Sequence, residues 1–347
     1  MFHSNASSYR AVFLLLFASV AGYVLAQGPG RARKHTATKS QAIHLLDATE
    51  KPPARSQANF SVQGGNRKVQ SNAIPEHLVG QFPNRGNPNS IAAQNLDVEI
   101  PANPKPAGRI SSFHESGGPF GIALNGVLFD PGTAEFWQGD RGSGWNYEAL
   151  GGAVALGLDS NYAHVQPTGS YHYHGHPTLL MKRLGFREGE HSPQIGWAAD
   201  GFPIYALYGA EDPKDSGSAA VELKSSYRLK PGNRPGGNEP DGKYDGSFVQ
   251  DYEYVAGLGD LDECNGRFCK TPEFPDGTYA YFLSKDWPVV PRNFKGTPSS
   301  LRDRRGGGPG GPGGHPPGGR PPGGKGKGKG PPPRGPKGGK GPPPPPR

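Results

Sequence analysis

The chain has 347 residues, a formal net charge of +8, 55 glycines, 39 prolines and two cysteines. The charge is divided: residues 304–347 carry ten Lys or Arg and no acid, whereas residues 60–303 carry 21 basic against 28 acidic side chains, a balance of −7. The basic character therefore belongs to one end, which argues against specific nucleic-acid recognition by the middle of the chain, and two cysteines exclude a four-cysteine zinc site.

Arg10 precedes the apolar run Ala11-Val-Phe-Leu-Leu-Leu-Phe-Ala-Ser-Val20, and Val24-Leu25-Ala26 supplies a small-residue cleavage site. This order predicts a signal peptide over residues 1–26. The apolar stretch is about 16 residues, short for a span that needs about 20. The expectation is an exported protein, secreted or extracytoplasmic (periplasm or cell surface), with no transmembrane span after signal cleavage. Residues 27–59 are polar, rich in Ala, Thr, Gln, Pro and basic residues, and read as a linker.

Residues 60–300 suit one large domain. Turn signals interrupt it every few residues, among them Asn125-Gly126, Asp130-Pro131-Gly132, Asp241-Gly242 and Asp276-Gly277. Short β-prone runs lie between them at 121–125, 126–129, 202–208 and 277–283. The best helix candidate is Asn146 to Leu156, with Asn146 as its cap. The pattern predicts a mainly β fold: a single large loop-rich β domain with few short helices, flanked by disordered segments, with sandwich or barrel left open.

Residues 301–347 form the second flank. From residue 304 this tail contains only Gly, Pro, Lys, Arg and His315. It has nothing to bury against its ordering entropy, so disorder is expected. Its Gly does not recur strictly every third residue, which excludes collagen. The preferred reading is a solvated tether with no partner; salt-sensitive binding of anionic envelope polymers by the flexible polycation is the alternative. With no aromatic residues interleaved, the tail offers no base-stacking platform.

Cys264 and Cys269, in Glu263-Cys-Asn-Gly-Arg-Phe-Cys269, read outside the cytoplasm as a disulfide closing a turn. A pair of metal thiolates is the alternative.

The most informative stretch is Ser170-Tyr171-His172-Tyr173-His174-Gly175-His176. On a strand side chains alternate, so His172 and His174 share one face and Tyr171 and Tyr173 the other. Two same-face imidazoles lie about 7 Å apart at Cα and can converge on one ion. His176 continues the face or is swung away by Gly175 and Pro177. Further ligands are sought among His164, His114, His191 and His77, with Asp200 as an oxygen donor. An imidazole-rich set suits Zn or Cu. The alternative is a half-buried strand whose histidines are merely hydrogen-bonded. An internal repeat favours chemistry: Pro167-Thr-Gly-Ser-Tyr-His-Tyr-His174 recurs as Pro275-Asp-Gly-Thr-Tyr-Ala-Tyr-Phe282. The frame survives with Ala280 and Phe282 in place of His172 and His174, so packing does not require the histidines.

At this point the sequence resembles the YHYH-domain family, named for the tetrapeptide seen here as Tyr171-His172-Tyr173-His174. Segments beginning Ser71-Asn-Ala-Ile-Pro-Glu-His77, Gly121-Ile-Ala-Leu-Asn-Gly-Val127, Ala163-His-Val-Gln166, Gly196-Trp-Ala-Ala-Asp-Gly-Phe202 and Leu261-Asp-Glu-Cys-Asn-Gly266 carry the resemblance. It implies exported proteins without an assigned activity, and a second His-bearing copy from which this chain departs at Tyr279-Ala-Tyr-Phe282.

Three functional classes follow. One is an exported metal-binding domain. The second is a metalloenzyme at the same site, with Glu115 or Asp200 as base. The third is a structural or carbohydrate-binding module using Trp137, Trp145, Trp197 and Trp287. No Gly-x-Ser-x-Gly elbow, His-Glu-x-x-His or phosphate loop is present.

Overall fold

Dense Gly and Pro punctuation cuts the chain into short strands. In order these are β1 (Ala58–Gln63), β2 (Asn66–Ser71), β3 (Leu96–Pro101), β4 (Pro106–Ser112), β5 (Gly121–Ala123), β6 (Leu128–Phe129), β7 (Ala163–Val165), β8 (Tyr171–Tyr173), β9 (Gly196–Ala198), β10 (Pro203–Ala206), β11 (Tyr208–Ala210), β12 (Ala220–Glu222), β13 (Tyr227–Leu229), β14 (Tyr252–Tyr254), β15 (Gly266–Thr271), β16 (Phe274–Leu283) and β17 (Asn293–Gly296). Two short helices interrupt them, α1 (Phe113–Ser116) and α2 (Thr178–Arg183). The structure, a computed structural model, describes residues 34–302. The expected leader, the first residues of the expected linker and the tail from residue 303 lie outside the described residues.

The fold is mainly β, as expected. Its centre is an eight-stranded sheet in the order β15-β16-β10-β9-β5-β6-β8-β7, accompanied by a three-stranded sheet (β1-β2-β3) and three two-stranded ones. None of the described sheets closes into a barrel.

The large sheet is built twice over from one unit. At its middle β5 and β9 pair antiparallel, with Ile122 opposite Trp197. Each turns back through a tight hairpin, β5 into β6 at Asn125-Gly126 and β9 into β10 at Asp200-Gly201. Gly126 and Gly201 have φ of +80° and +92°, a region that L side chains adopt rarely. β6 then pairs parallel with β8, and β10 parallel with β16. The outer strands β7 and β15 close each half antiparallel.

The correspondence extends to single bonds. Ala123 N–H donates to Val127 O at 2.8 Å, and Ala198 N–H to Phe202 O at 2.9 Å. Asp159 N–H donates to Ala163 O and Asp262 N–H to Gly266 O, both at 2.9 Å. Tyr171 Oη donates to Asp159 at 2.7 Å, and Tyr279 Oη to Asp262 at 2.7 Å. The repeat seen in the sequence is thus the visible part of a duplicated half-sheet.

The tyrosines of both copies, with Phe120, Ile122, Phe129, Ile204 and Phe294, form the main core. A second cluster gathers Trp137, Trp145, Tyr147, Leu156, Leu158 and Phe248, and a third gathers Tyr205, Leu223, Leu261, Cys269, Ala280 and Phe282. Burial of this apolar area, at about 25 cal/mol per Å², is the main favourable term in folding.

Three local expectations change. Residues 146–156 form bridges and turns instead of a helix: Phe136 pairs with Asn146, and Tyr147 with Phe248. Asn146 uses its amide on Thr133 Oγ1 and Glu135 O instead of capping. Gly152, at φ +71°, lies so close to Gln41 that a Cβ there would meet the Gln41 carbonyl. Cys264 and Cys269 are free thiols, not a disulfide. They are buried in different clusters, Cys264 in the main core and Cys269 in the third, so the short spacing does not bring the sulfurs together. Finally, residues 34–50 run against the domain. Leu46 bridges to Asp159 and Glu50 to Val79, while buried Arg234 holds Thr38 O at 2.8 Å and Asp251 through two bonds.

No helix among the described residues is long and apolar enough to cross a membrane.

Candidate metal centre

Strand alternation puts His172 and His174 on one face of β8, and the antiparallel register of β7 sets His164 directly beside His172. The other face sends Tyr171 and Tyr173 into the main core. Nε2 of His174 stands 3.0 Å from Nε2 of His172 and 3.0 Å from Nε2 of His164. His172 and His174 are only 2% and 4% exposed, and His164 is half-buried.

The outer nitrogens explain the orientation. His164 Nδ1 faces Leu156 O at 2.9 Å, and His172 Nδ1 faces Ser170 O at 3.2 Å. A carbonyl only accepts, so each ring carries its proton on Nδ1 and turns the Nε2 lone pair inward. Nδ1 of His174 is buried beside the Asp130 backbone, outside good hydrogen-bond geometry. With two of the three Nε2 atoms unprotonated, at most one hydrogen-bonding proton, that of His174, is available for the two Nε2···Nε2 contacts. A cation satisfies all three lone pairs at once. Metal–nitrogen bonds of about 2.0–2.1 Å in tetrahedral geometry set nitrogens ~3.3 Å apart, within a few tenths of an ångström of the spacing here.

Burial keeps these rings neutral. It pushes His172 down to about 4 and, with neighbouring His172, His164 down to about 3; His174 lies well below its ordinary value for the same reasons. Neutral imidazole is the metal-ligating form. The Nδ1-to-carbonyl bonds are the outer support that such ligands require.

The sequence of the centre and its frame, with the doubled sheet around it, matches a family model described as YHYH protein over residues 97–296, more than half of the chain. The chain belongs to the YHYH protein family. No curated protein and no solved structure matches it.

The YHYH tetrapeptide thus supplies two of three converging rings, with β7 giving the third. The remaining sequence candidates lie elsewhere. His176 turns away behind Gly175, packs edge-on against Tyr162 and faces the backbone of Leu283 and Ser284; burial pushes it down to about 4. His77 lies on the opposite face, 2.7 Å from Tyr173 Oη. His191 sits in the other half of the sheet against Tyr205. His114 is exposed on α1, stacked on Phe113. Glu115 is exposed and paired with Arg109 at 2.8 Å. Asp200 accepts from Tyr281 Oη at 2.5 Å and Gly296 N–H at 2.8 Å, in the place that Asn125 takes beside Tyr173.

The four tryptophans do not share one strip. Trp137 and Trp145 are buried around Phe248, Trp197 lies under Arg67, and Trp287 stacks on Tyr252.

Two polar residues beside the centre were missed from the sequence. Asp130 follows β6 and its N–H donates to Tyr173 O at 2.9 Å, which places it next to His174 on the histidine face. Gln166 follows β7, and its N–H donates to Ser170 O at 2.9 Å. Alternation from His164 would have found Gln166. Asp130 reads locally as an Asp-Pro-Gly turn, and only the parallel pairing of β6 with β8 shows its neighbour.

Proposed function

We propose that this YHYH protein is an exported metal-binding protein that holds one Zn or Cu ion through Nε2 of His164, His172 and His174. The observation that carries the reading is the inward convergence of three neutral imidazoles, two of them with Nδ1 anchored on backbone carbonyls. Such lone pairs repel one another unless a cation lies between them. The replacement of the ligand positions in the second half of the sheet gives separate support, because it shows that packing alone does not demand them.

Export belongs to the same proposal and is supported by the leader pattern over residues 1–26. The tail then lies outside the cytoplasm as a solvated tether, with salt-sensitive contact with anionic envelope polymers as the alternative.

The test is elemental analysis of the mature chain, purified without a His tag, beside a His164→Ala, His172→Ala variant. One equivalent of Zn or Cu, lost in the folded variant, is the expected result. A wild-type chain that retains no metal and takes up neither ion on addition overturns the reading.

A further inference from the structure

Three histidines do not fill a four-coordinate site. Among the described residues no other His, Cys, Asp or Glu joins the three within ligand range. Closed structural zinc sites take four protein ligands, whereas reactive ones take three and keep a position for an exchangeable fourth.

The surroundings indicate where that position faces. On the histidine face, Asp130 lies beside His174 and Gln166 two residues beyond His164, both half-buried. Asp130 Oδ1 accepts from Gly132 N–H at 3.0 Å, and Gln166 Nε2 reaches Asp130 Oδ2 at only 3.4 Å. A bond that long leaves carboxylate and amide with capacity for another partner. His164, the most exposed of the three rings, stands on the same side as Gln166, on the edge strand β7, so this is the side of the centre nearest solvent.

The duplicated half supplies an independent observation. Its equivalents of His164, His172 and His174 are Arg267, Ala280 and Phe282. The equivalent of Asp130 is Tyr205 and that of Gln166 is Cys269. There Tyr205 stacks on Phe282 with ring centres 5.6 Å apart, Ala280 and Cys269 join the same apolar cluster, and Arg267 donates to Ala210 O. All five polar positions of one half are exchanged together in the other. The backbone frame therefore needs Asp130 and Gln166 no more than it needs the histidines, and the five form one set.

We propose, resting on the three-histidine metal reading, that the centre is open toward Asp130 and Gln166 and binds a small protic oxygen ligand, water or a hydroxyl compound, in its fourth position. Asp130 accepts that ligand's hydrogen bond, and the Gln166 amide donates to its oxygen. The arrangement is that of a reaction centre for small oxygen-bearing molecules, not of a closed structural clip.

The test uses the full mature chain loaded with Co(II) as a visible probe and titrated with azide at mildly alkaline pH. The expected result is one equivalent of Co(II), visible bands that azide shifts saturably, and azide binding at least about threefold tighter in Asp130→Asn, because a like charge beside the incoming anion is removed. Asp130→Ser is the second variant, and the cobalt stoichiometry of each variant reports that it is folded. Bands unmoved by azide in the wild-type chain, or an azide affinity indifferent to both substitutions, overturn the open centre while leaving the metal site standing. Failure to take up Co(II) overturns the open centre, and failure to take up Zn and Cu as well overturns the metal reading beneath it.

Discussion

His174 and Phe282 occupy the same place in two halves of one sheet. The N–H of His174 donates to Tyr162 O at 2.8 Å, and that of Phe282 to Asn265 O at 3.0 Å. The two acceptors are themselves matched, each a non-glycine residue at positive φ, 52° for Tyr162 and 55° for Asn265. Backbone strain of this kind persists only where surrounding structure enforces it. Here it is enforced twice, so the turn feeding each hairpin is a property of the frame and the side chain beyond it is free to differ. Where one half carries imidazole, the other carries an aromatic ring in an apolar cluster.

The second half accordingly names the substitutions that the first should tolerate. His172→Ala with His174→Phe copies Ala280 and Phe282 into the metal centre. The double variant is expected to lose its metal and yet unfold cooperatively, with a metal-free melting temperature no more than about 5 °C below that of the metal-free wild type. Elemental analysis and thermal denaturation check the two halves of the statement. A variant that fails to fold would mean that the histidines pack the frame, and one that keeps its metal would remove these rings from the ligand set.

Much of this was legible in the sequence for one reason: strand alternation is local. The Tyr-x-Tyr frame, the shared face of His172 and His174, and the turn at Asn125-Gly126 need only neighbours along the chain. Asp276-Gly277, by contrast, reads as a turn but lies inside β16, and the chain turns at Pro272-Glu273. What escaped depends on contacts distant in sequence. Asp130 gains its meaning from a parallel strand more than forty residues away. The segment 146–156 has helical propensity that loses to the close passage of Gln41 over Gly152. Residues 34–50 bind largely through backbone groups, at Leu46 and Glu50, and so show no apolar period. The cysteines follow a spacing that suits a small closed loop, but Cys269 lies within β15 and faces the third cluster while Cys264 faces the main core.

That last point predicts the redox state. Burial pushes the thiols of Cys264 and Cys269 up, so neither is a ready nucleophile. The native protein should resist thiol-directed labelling for hours and yield two free thiols per chain on denaturation without reductant. A thiol count of zero in the denatured, unreduced chain would show that the cysteines pair after all.

Asp200 supplies a pH dependence. Burial pushes its carboxyl up to about 6, against hydrogen bonds from Tyr281 Oη and Gly296 N–H that act the other way. In the unfolded chain it ionises near its ordinary value, about 3.8. Below that value the group is protonated in both states and costs nothing. Between there and about 6 the unfolded chain releases the proton first, so stability falls as pH rises. The full loss, about 3 kcal/mol at ~1.4 kcal/mol per unit, is reached above the folded value. Asp200→Asn, which installs the residue found at Asn125, lacks this slope. Its carbonyl oxygen replaces Oδ2, which accepts from both Tyr281 Oη and Gly296 N–H, but its NH2 is left facing the Phe202 N–H that donates to Oδ1. The variant is therefore less stable in acid, and its deficit narrows as pH rises from about 4 to about 7. Chemical denaturation across that range measures it; a deficit that widens with pH contradicts the assignment.

The segment before β1 reaches the candidate metal centre only through the loop that carries Leu156. Gln41 N–H and Ser40 Oγ both donate to Gly151 O, at 3.3 and 2.8 Å, Leu46 N–H donates to Leu158 O at 2.9 Å, and Ser160 N–H returns to Leu46 O at 2.8 Å. Between those contacts lies Leu156, whose carbonyl takes the Nδ1 proton of His164. Outer partners of this type change metal affinity by about 10- to 100-fold when removed. Leu46→Pro deletes the donor to Leu158 O and leaves every ligand in place. It is expected to weaken metal binding by about tenfold in competition with a chromophoric chelator, with the stoichiometry still at one. A lowered melting temperature with unchanged affinity would limit this segment to holding the domain together, and would separate the orientation of His164 from the strand that crosses its loop.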